Sequence, residues 1–195
     1  IPLIYKSLIP RKDSFDFVYC KESVHHFPRP YIALNEMFRV SRKGVIITEP
    51  RDQSIDKSPL NIILKFFKLI LKKNISKHNF EEVGNYIYSF SERELEKFLL
   101  GMHYTNISFL GINDLYIKGM EYVSINPEGF FDRLFHVKYK FKLSFLNLLS
   151  KLHIKKTGLL TVILHKKKPN MDFLEALEKE GFLNKSLPEN PYIEN

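Results

Sequence analysis

The sequence is poor in cysteine and glycine and has no long uninterrupted apolar segment. Its single cysteine excludes a disulfide framework and a cysteine-based zinc site. Its eight glycines are scattered and form no G-x-G-x-G pattern, so the fingerprint of a dinucleotide-binding turn is missing. The nearest candidate for a membrane helix, Leu60 to Leu71, is interrupted by Lys65 and Lys68 and is shorter than the roughly 20 residues that a span needs.

The rest of the composition is that of a folded protein. The chain has 195 residues, of which 44% are hydrophobic, enough to form a core. With one cysteine and no signal-peptide pattern, a cytoplasmic location is expected. The first residue is Ile1 and not methionine, so we expect a processed chain or one that begins partway through a larger protein.

The positive charge is concentrated in one part of the sequence. The net charge is +8, and residues 133 to 168 contain ten Lys and Arg but no Asp or Glu. Such a block is compatible with nucleic acid or with an anionic membrane surface. Many of these lysines alternate with apolar residues, which favours a solvated helix or strand face. No RNA- or DNA-binding motif is visible, and we therefore predict no nucleic-acid partner.

The segment before Pro50 has the pattern of a strand, a helix and a second strand. Phe15 to Cys20 is aromatic and β-branched, which predicts a buried strand. Tyr31 to Arg42 places its apolar residues on one helical face, and Gly44 follows as a predicted C-cap. Val45 to Thr48 predicts a second buried strand. Short connections make this a βαβ unit with parallel strands, and hence an α/β fold.

The later elements are less regular. Ser91 with Glu94 predicts a capping box at the start of a helix that ends at Leu100. The other predicted elements are an amphipathic basic helix at Leu60 to Lys73, a strand at Tyr104 to Gly111, a helix at Phe130 to Leu152, a strand at Leu159 to His165 and a helix at Met171 to Glu180. We divide the chain into a partial Rossmann-like core (1–50), a helical insertion and helix (51–103), the last strands with an inserted helix (104–168) and a C-terminal helix and tail (169–195).

Polar groups follow both strands of the βαβ unit. In open α/β sheets, ligands bind just past the carboxyl ends of the parallel strands. Here these ends are Cys20 to His26 and Thr48 to Asp52. The first loop is dense in side chains that titrate or form hydrogen bonds, which favours a role facing a ligand over a purely structural one.

These segments resemble the second half of a class I S-adenosylmethionine-dependent methyltransferase, of the methyltransferase type 11-like group. The resemblance rests on an aspartate in the first strand (Asp16), a histidine pair in the loop (His25 and His26), an E-x-x-R-V helix (Glu36 to Val40) and a strand after Gly44. It implies a Rossmann-like class I methyltransferase fold with helical insertions. Nothing like the first two strands precedes Phe15, so we expect an N-terminally incomplete fold, a fragment in which Ile1 to Pro10 is the third strand with its loop.

The resemblance also implies roles for individual residues. The catalytic candidates are His25, His26 and Glu22, any of which could act as a base toward a hydroxyl acceptor. The candidates for contact with the cofactor are Lys21, Ser23 and Cys20, those for substrate are Glu49, Arg51 and Asp52, and no metal site is expected. The implied cofactor is S-adenosylmethionine. Because the glycine-rich turn is missing, we expect weak or no cofactor binding by this chain, and no activity without the missing N-terminal half.

The sequence is compatible with three functions. The first is methyl transfer to a small molecule, a lipid or a saccharide intermediate. The second is a non-catalytic interaction or membrane-surface module derived from the same fold, with peripheral membrane contact through Leu60 to Lys73, although a helix that packs its apolar face on the sheet explains that segment more simply. The third, another Rossmann-type enzyme such as a dehydrogenase, is weaker because the dinucleotide fingerprint is also missing.

Overall fold

The structure is a computed structural model. It describes residues 10–192, with the exception of residues 54, 72–79, 81–83, 116, 118, 127 and 128. The predicted third strand at Ile1 to Pro10 lies outside the described residues except for Pro10 itself.

Five strands and five α-helices make up this part of the chain. The strands are β1 (Phe15–Lys21), β2 (Ser41–Pro50), β3 (Asn106–Ile112), β4 (Leu159–His165) and β5 (Leu183–Ser186). The helices are α1 (Pro30–Val40), α2 (Pro59–Ile70), α3 (Glu92–Gly101), α4 (Phe130–Lys151) and α5 (Met171–Lys179). Each helix and strand predicted within the described residues has a counterpart within a few residues, and the capping box of Ser91 and Glu94 is present. The predicted burial of the first strand is wrong: none of the residues of β1 is buried, because β1 lies at the end of the described sheet.

The strands form one mixed sheet in the order β1-β2-β4-β3-β5. β1 and β2 are parallel neighbours, with Cys20 opposite Ile47 and Lys21 opposite Thr48, as the βαβ pattern predicts. β3 and β5 pair antiparallel. A sheet of this kind with helices packed on it is an α/β Rossmann-like arrangement, and the predicted fold class is confirmed in this respect.

The core lies between α1, α3 and the sheet. Leu34 and Phe38 of α1 form one buried cluster with Leu95 and Leu99 of α3. The strands complete this cluster with apolar side chains that alternate along each of them: Val45 and Ile47 of β2, Ile107 and Phe109 of β3, and Leu160, Val162 and Leu164 of β4. The period-2 spacing shows that one face of each strand is turned to α1 and α3.

The predicted role of Gly44 is wrong. α1 ends at Val40, and its C-cap is Ser41, which is already in extended conformation. Gly44 lies inside β2, and a Cβ at this position would clash with the backbone carbonyl of Leu164 in the neighbouring strand. The glycine is therefore needed for the close approach of β2 and β4 and not for the end of a helix.

β5 was not predicted. Its sequence, LNKS, is short and polar, and three of its four residues are exposed. It is held by antiparallel pairing with β3 from Asn106–Ser186 to Phe109–Leu183. Such an edge strand depends on its partner and has no hydrophobic pattern of its own.

The chain separates into two compact units. The first, here called the sheet unit, comprises residues 1–52, 78–110 and 160–195, and the second, the helical unit, comprises residues 53–77 and 111–159. These ranges cut across the four segments expected from the sequence, which stay a prediction. Within the helical unit, the Leu60 amide donates to the Ile154 carbonyl at 3.1 Å. Lys72 and Lys73 of the predicted basic helix lie outside the described residues.

Among the helices that the structure describes, none combines the length and the apolar character needed to cross a membrane.

Candidate functional site

The two predicted loops lie side by side at one edge of the sheet. β1 and β2 are parallel, so their carboxyl ends fall together, with Lys21 opposite Thr48. The Glu22 amide donates to the Thr48 carbonyl at 2.8 Å. Glu22 adopts a left-handed backbone conformation, with φ of 47°, which turns the chain away from the strand. The loop thus leaves β1 sharply and crosses the end of β2.

A buried carboxylate holds the loop in place. Glu49 of β2 has no exposed surface. One carboxylate oxygen, Oε1, accepts hydrogen bonds from the Ser23 amide at 3.2 Å and the Val24 amide at 2.9 Å. The other, Oε2, lies 2.5 Å from Nδ1 of His25. All three partners belong to the short 3₁₀ turn at Val24–His26 or to its N-cap, so one side chain fixes the conformation of the loop.

The two histidines differ in their surroundings. His25 is buried, and its hydrogen bond to Glu49 fixes the ring orientation. His26 is exposed, and the two rings contact each other with centroids 4.0 Å apart. Of these two candidate bases, His26 is therefore the one whose ring is exposed at the surface, whereas His25 is placed to position the loop.

Most of the remaining loop side chains face solvent. Lys21, Glu22 and Ser23 are exposed, and Lys21 pairs with Glu22 at 3.5 Å. Cys20 is half-buried and packs against the core. Burial, and after it the charge of Glu49, raises the pKa of the Cys20 thiol. The thiol is thus a packing group in its ordinary protonated form, which does not favour a reactive role.

The proposed substrate residues fall into two groups. Glu49 is buried with both oxygens engaged, an arrangement that suits positioning better than contact with a substrate. Arg51 is mostly buried and pairs with Glu92 at 3.1 Å. Its Nε is buried without a hydrogen-bond partner among the described residues. Asp52 is half-buried, and its amide donates to the Phe90 carbonyl at 2.9 Å.

Sequence reasoning missed the segment that runs beside both loops, Tyr86 to Phe90. The Tyr88 amide donates to the His25 carbonyl at 3.1 Å, and the Phe90 amide donates to the Pro50 carbonyl at 2.8 Å. The Tyr86 and Tyr88 rings contact each other edge to face at 5.0 Å. The signal that could have found this segment is its aromatic content, with Tyr86, Tyr88 and Phe90 at alternate positions.

A second buried polar cluster joins β3, β4 and β5 in the sheet unit. The Asn184 amide nitrogen donates to the Leu174 carbonyl and to Glu178, so its oxygen faces Ser108. The Ser108 hydroxyl donates to that oxygen at 2.7 Å and therefore accepts from Nε2 of His165 at 2.9 Å. Burial lowers the pKa of His165 to about 4. This neutral histidine is a donor to the serine and not a base for it, which argues against a nucleophilic serine.

The described residues contain no group of three or more His, Cys, Asp or Glu side chains that could hold a metal ion. The exposed side chains of the loop after β1 include the polar residues Lys21, Glu22, Ser23 and His26, and S-adenosylmethionine is the cofactor that the resemblance implies. The chain has no glycine-rich turn to take the rest of that molecule, so its residues do not make up a whole cofactor site.

Comparison with known proteins finds a likeness over the segment that contains the loop after β1. The family model described as a methyltransferase domain matches residues 5–48. No curated protein matches the sequence.

Three solved structures share a distant likeness with the chain. A Haloferax volcanii protein assigned as a methyltransferase, in complex with the Trm112 activator, has 14% identity and a TM-score of 0.38, over 84% of this chain and 59% of that chain. An S-adenosylmethionine-dependent methyltransferase of Thermotoga maritima has 17% identity and a TM-score of 0.38, over 82% of this chain and 60% of its own. A Bacillus halodurans protein assigned as a methyltransferase has 12% identity and a TM-score of 0.36, over 82% of this chain and 72% of that chain.

The chain thus spans about 60% of the length of the first two of these structures. The family match covers β1, the anchored loop, α1 and most of β2, which are the elements that carried the resemblance in the sequence. Residues 5–48 are therefore similar to a methyltransferase domain, in agreement with the resemblance that the sequence carries.

Proposed function

We propose that the chain is the acceptor-side part of a methyltransferase that transfers a methyl group from S-adenosylmethionine to a small-molecule, lipid or saccharide acceptor. One observation carries this proposal. The loop after β1 lies inside the segment 5–48 that matches a methyltransferase domain, and it is fixed on the buried Glu49, the residue that follows this segment, at the carboxyl ends of two parallel strands. This edge of a Rossmann-like sheet is where ligands bind.

The loop residues have separate tasks in this proposal. Glu49 and His25 hold the backbone of the 3₁₀ turn and touch no ligand. The exposed His26 accepts the proton of the acceptor hydroxyl, with the Glu22 carboxylate as the alternative base. Lys21 and Ser23 contact the cofactor and Asp52 the acceptor. The cofactor supplies an activated methyl group, and orientation by the loop supplies much of the rate enhancement.

Cofactor binding by the chain tests the first part of the proposal. Because no glycine-rich turn is present, calorimetry with S-adenosylmethionine is expected to show no micromolar binding. Micromolar binding by this polypeptide would contradict that expectation.

The coding sequence upstream of the Ile1 codon tests whether the chain is part of a methyltransferase. A strand followed by E-x-G-x-G-x-G supports it, and a stop codon with a start site there supports a degenerate, non-catalytic protein.

The loop can be tested without turnover. Each of the seven histidines gives its own ring-proton resonance in a nuclear magnetic resonance spectrum. With S-adenosylhomocysteine at high concentration, we expect the His26 resonance, assigned with H26A, to shift, while that of His153 in the helical unit stays in place. An unmoved His26 resonance under the same conditions would rule out a ligand-facing loop.

A non-catalytic membrane-surface module is the second candidate function. The exposed apolar residues of α2 and the two lysines within it favour this candidate. Vesicle co-sedimentation distinguishes the candidates only together with the loop experiment, because an enzyme with a lipid acceptor also binds membranes. Vesicle binding with an unmoved His26 resonance supports the non-catalytic module.

A further inference from the structure

The two units divide the charge of the chain very unevenly. By residue count, the helical unit holds 14 Lys and Arg against 5 Asp and Glu, a net charge of +9. The sheet unit holds 16 Lys and Arg against 17 Asp and Glu, a net charge of −1. The entire positive excess of the protein therefore belongs to the helical unit.

The helical unit also buries almost no apolar side chain. Among the described residues, Leu159, at its boundary, is the only member of the buried hydrophobic set that belongs to this unit. α4 has 22 residues and none of them is buried. An exposed apolar surface of this extent marks an interaction site.

The exposed apolar residues of α4 form one continuous stripe, here called the α4 stripe. Its members recur every three or four residues, the spacing of a single helix face, and each is at least half exposed. They are Phe130, Leu134, Val137, Phe141, Phe145, Leu148 and, just past the helix end, Leu152. With a rise of about 1.5 Å per residue, the stripe extends over roughly 30 Å.

Lysines border the α4 stripe on both sides. At about 100° per residue, Lys138 and Lys142 fall on one flank, and Lys140 and Lys151 fall on the other. All four are exposed. The half-buried residues, such as Tyr139, lie on the opposite side of the helix. One side of α4 is thus half-buried, and the opposite side presents an apolar stripe between two rows of lysines.

We propose that the helical unit docks on an anionic phospholipid surface, with the α4 stripe inserted at the boundary between headgroups and acyl chains. Helices that lie in the membrane interface have an apolar face and flanking lysines, whose aliphatic stems let the ammonium groups reach the lipid phosphates. α2 adds a second exposed apolar face with Ile63, Phe66, Phe67 and Ile70. The proposal is independent of the methyltransferase activity.

Charge decides between a lipid surface and other occupants. Two copies of the helical unit face to face would bring together two units that each have a net charge of +9, which opposes self-association. A nucleic acid would satisfy the lysines but would leave the stripe in water. An anionic bilayer satisfies both, because its surface potential attracts the lysines and its acyl region accepts the phenylalanine and leucine side chains.

Insertion can be observed at a single site because the sequence contains no tryptophan. The variant F141W places a reporter in the middle of the α4 stripe, at a position that is 75% exposed. Y192W is the matched control, at a 92% exposed position in the sheet unit. With phosphatidylglycerol-containing vesicles we expect the F141W emission to move to shorter wavelength and the Y192W emission to stay unchanged. An unchanged F141W emission would overturn the proposal.

Variants then separate apolar insertion from charge attraction in a vesicle flotation assay. Neutralising two lysines, in K138Q/K142Q, is expected to weaken partitioning about thirtyfold, the equivalent of about 1 kcal/mol for each lysine near the surface. K167Q/K168Q removes the same charge from exposed positions of the sheet unit and is expected to leave partitioning within a factor of two or so. F141S/F145S should abolish partitioning at every salt concentration.

Three results would refute docking on an anionic membrane. One is an equal loss from the two lysine pairs, which would mean attraction of the whole protein without a docking face. Another is equally tight binding to pure phosphatidylcholine vesicles. The last is concentration-dependent dimerisation without vesicles that F141S/F145S abolishes, which would assign the α4 stripe to a second copy of the chain.

Discussion

The sheet unit and the helical unit use similar apolar residues for opposite purposes. α1, with 11 residues, buries Leu34 and Phe38 against β2 and β4. α4 is twice as long and buries none of its residues. In the sheet unit each buried side chain adds to stability, whereas the apolar residues of the α4 stripe add nothing while they face water. Apolar content alone therefore does not identify a core, and the charge around the apolar residues indicates what they bind.

Matched truncations of two phenylalanines provide the largest test of this contrast. Phe38 is 1% exposed and contacts the Phe98 and Tyr104 rings, with centroids 5.8 and 5.4 Å away. F38A is expected to lower the free energy of unfolding by about 3–5 kcal/mol because it leaves a cavity. F141A, in the α4 stripe, should change it by less than about 0.5 kcal/mol. Urea unfolding of both variants gives the two changes in unfolding free energy. Equal losses in F38A and F141A would contradict the contrast between the units.

Two glutamates test the anchored loop in the same way. E49A removes a buried carboxylate that accepts from two backbone amides and the His25 ring, and we expect a loss of about 3 kcal/mol. E36A removes an exposed carboxylate paired with Arg39 at 2.8 Å and should cost less than about 1 kcal/mol. Chemical denaturation gives both values. If E49A were as mild as E36A, Glu49 would not hold the loop.

The sequence predicted those parts of the fold and site that depend on local pattern. The apolar runs of β1, β2 and β4 and the capping box of α3 are each visible within about ten residues, although the burial predicted for β1 is not found. The meeting of the loops after β1 and β2 also followed, because parallel strands bring their carboxyl ends to one edge. These features need no knowledge of the rest of the chain.

Features that depend on distant partners were missed or misassigned. In the sequence, Glu49 cannot be distinguished from an acidic residue that binds a ligand. Only the fold shows that its carboxylate forms hydrogen bonds with Ser23, Val24 and His25. Gly44 follows a helix in sequence but serves the contact between β2 and β4. The segment around Tyr88 lies far along the chain from the loop that it borders. Long-range pairing of this kind leaves no periodic trace in one sequence.

The buried histidine of the sheet unit predicts a dependence of stability on pH. Burial lowers the pKa of His165 from 6.5 to about 4, so between these values the unfolded chain binds a proton that the folded protein does not. Stability is therefore lost as pH falls from 6.5 to about 4, and we expect a loss of about 2 kcal/mol from this group between pH 7 and pH 5.

The variant H165Q isolates that contribution, because glutamine can still donate to Ser108 but does not titrate in this range. The unmodified protein should lose about 2 kcal/mol more of its unfolding free energy than H165Q does as the pH falls from 7 to 5. H136Q, the same substitution in the helical unit, is the control. A difference that stays constant over this range would disprove the effect of burial at His165.

Helix caps give the smallest contrast between the units. In the sheet unit, the Ser91 side chain accepts from the Glu94 amide at 3.2 Å and closes the capping box of α3. S91A should cost about 1 kcal/mol, since the Glu94 amide loses its hydrogen-bond acceptor. The N-cap of α4 is Gly129, which offers no side chain to the first turn and has an extended backbone with φ of −83°.

The change G129S should therefore stabilise α4 by a few tenths of a kcal/mol, in a conformation that serine adopts without strain. Because α4 belongs to the unit without a buried core, this gain should appear as slower amide hydrogen exchange along α4 and not in the global unfolding free energy. S91A, in the sheet unit, should instead lower the global unfolding free energy. Hydrogen exchange measured by mass spectrometry on both variants tests whether the two units differ in cooperativity as they do in burial. A global gain from G129S would show that α4 unfolds together with the sheet unit.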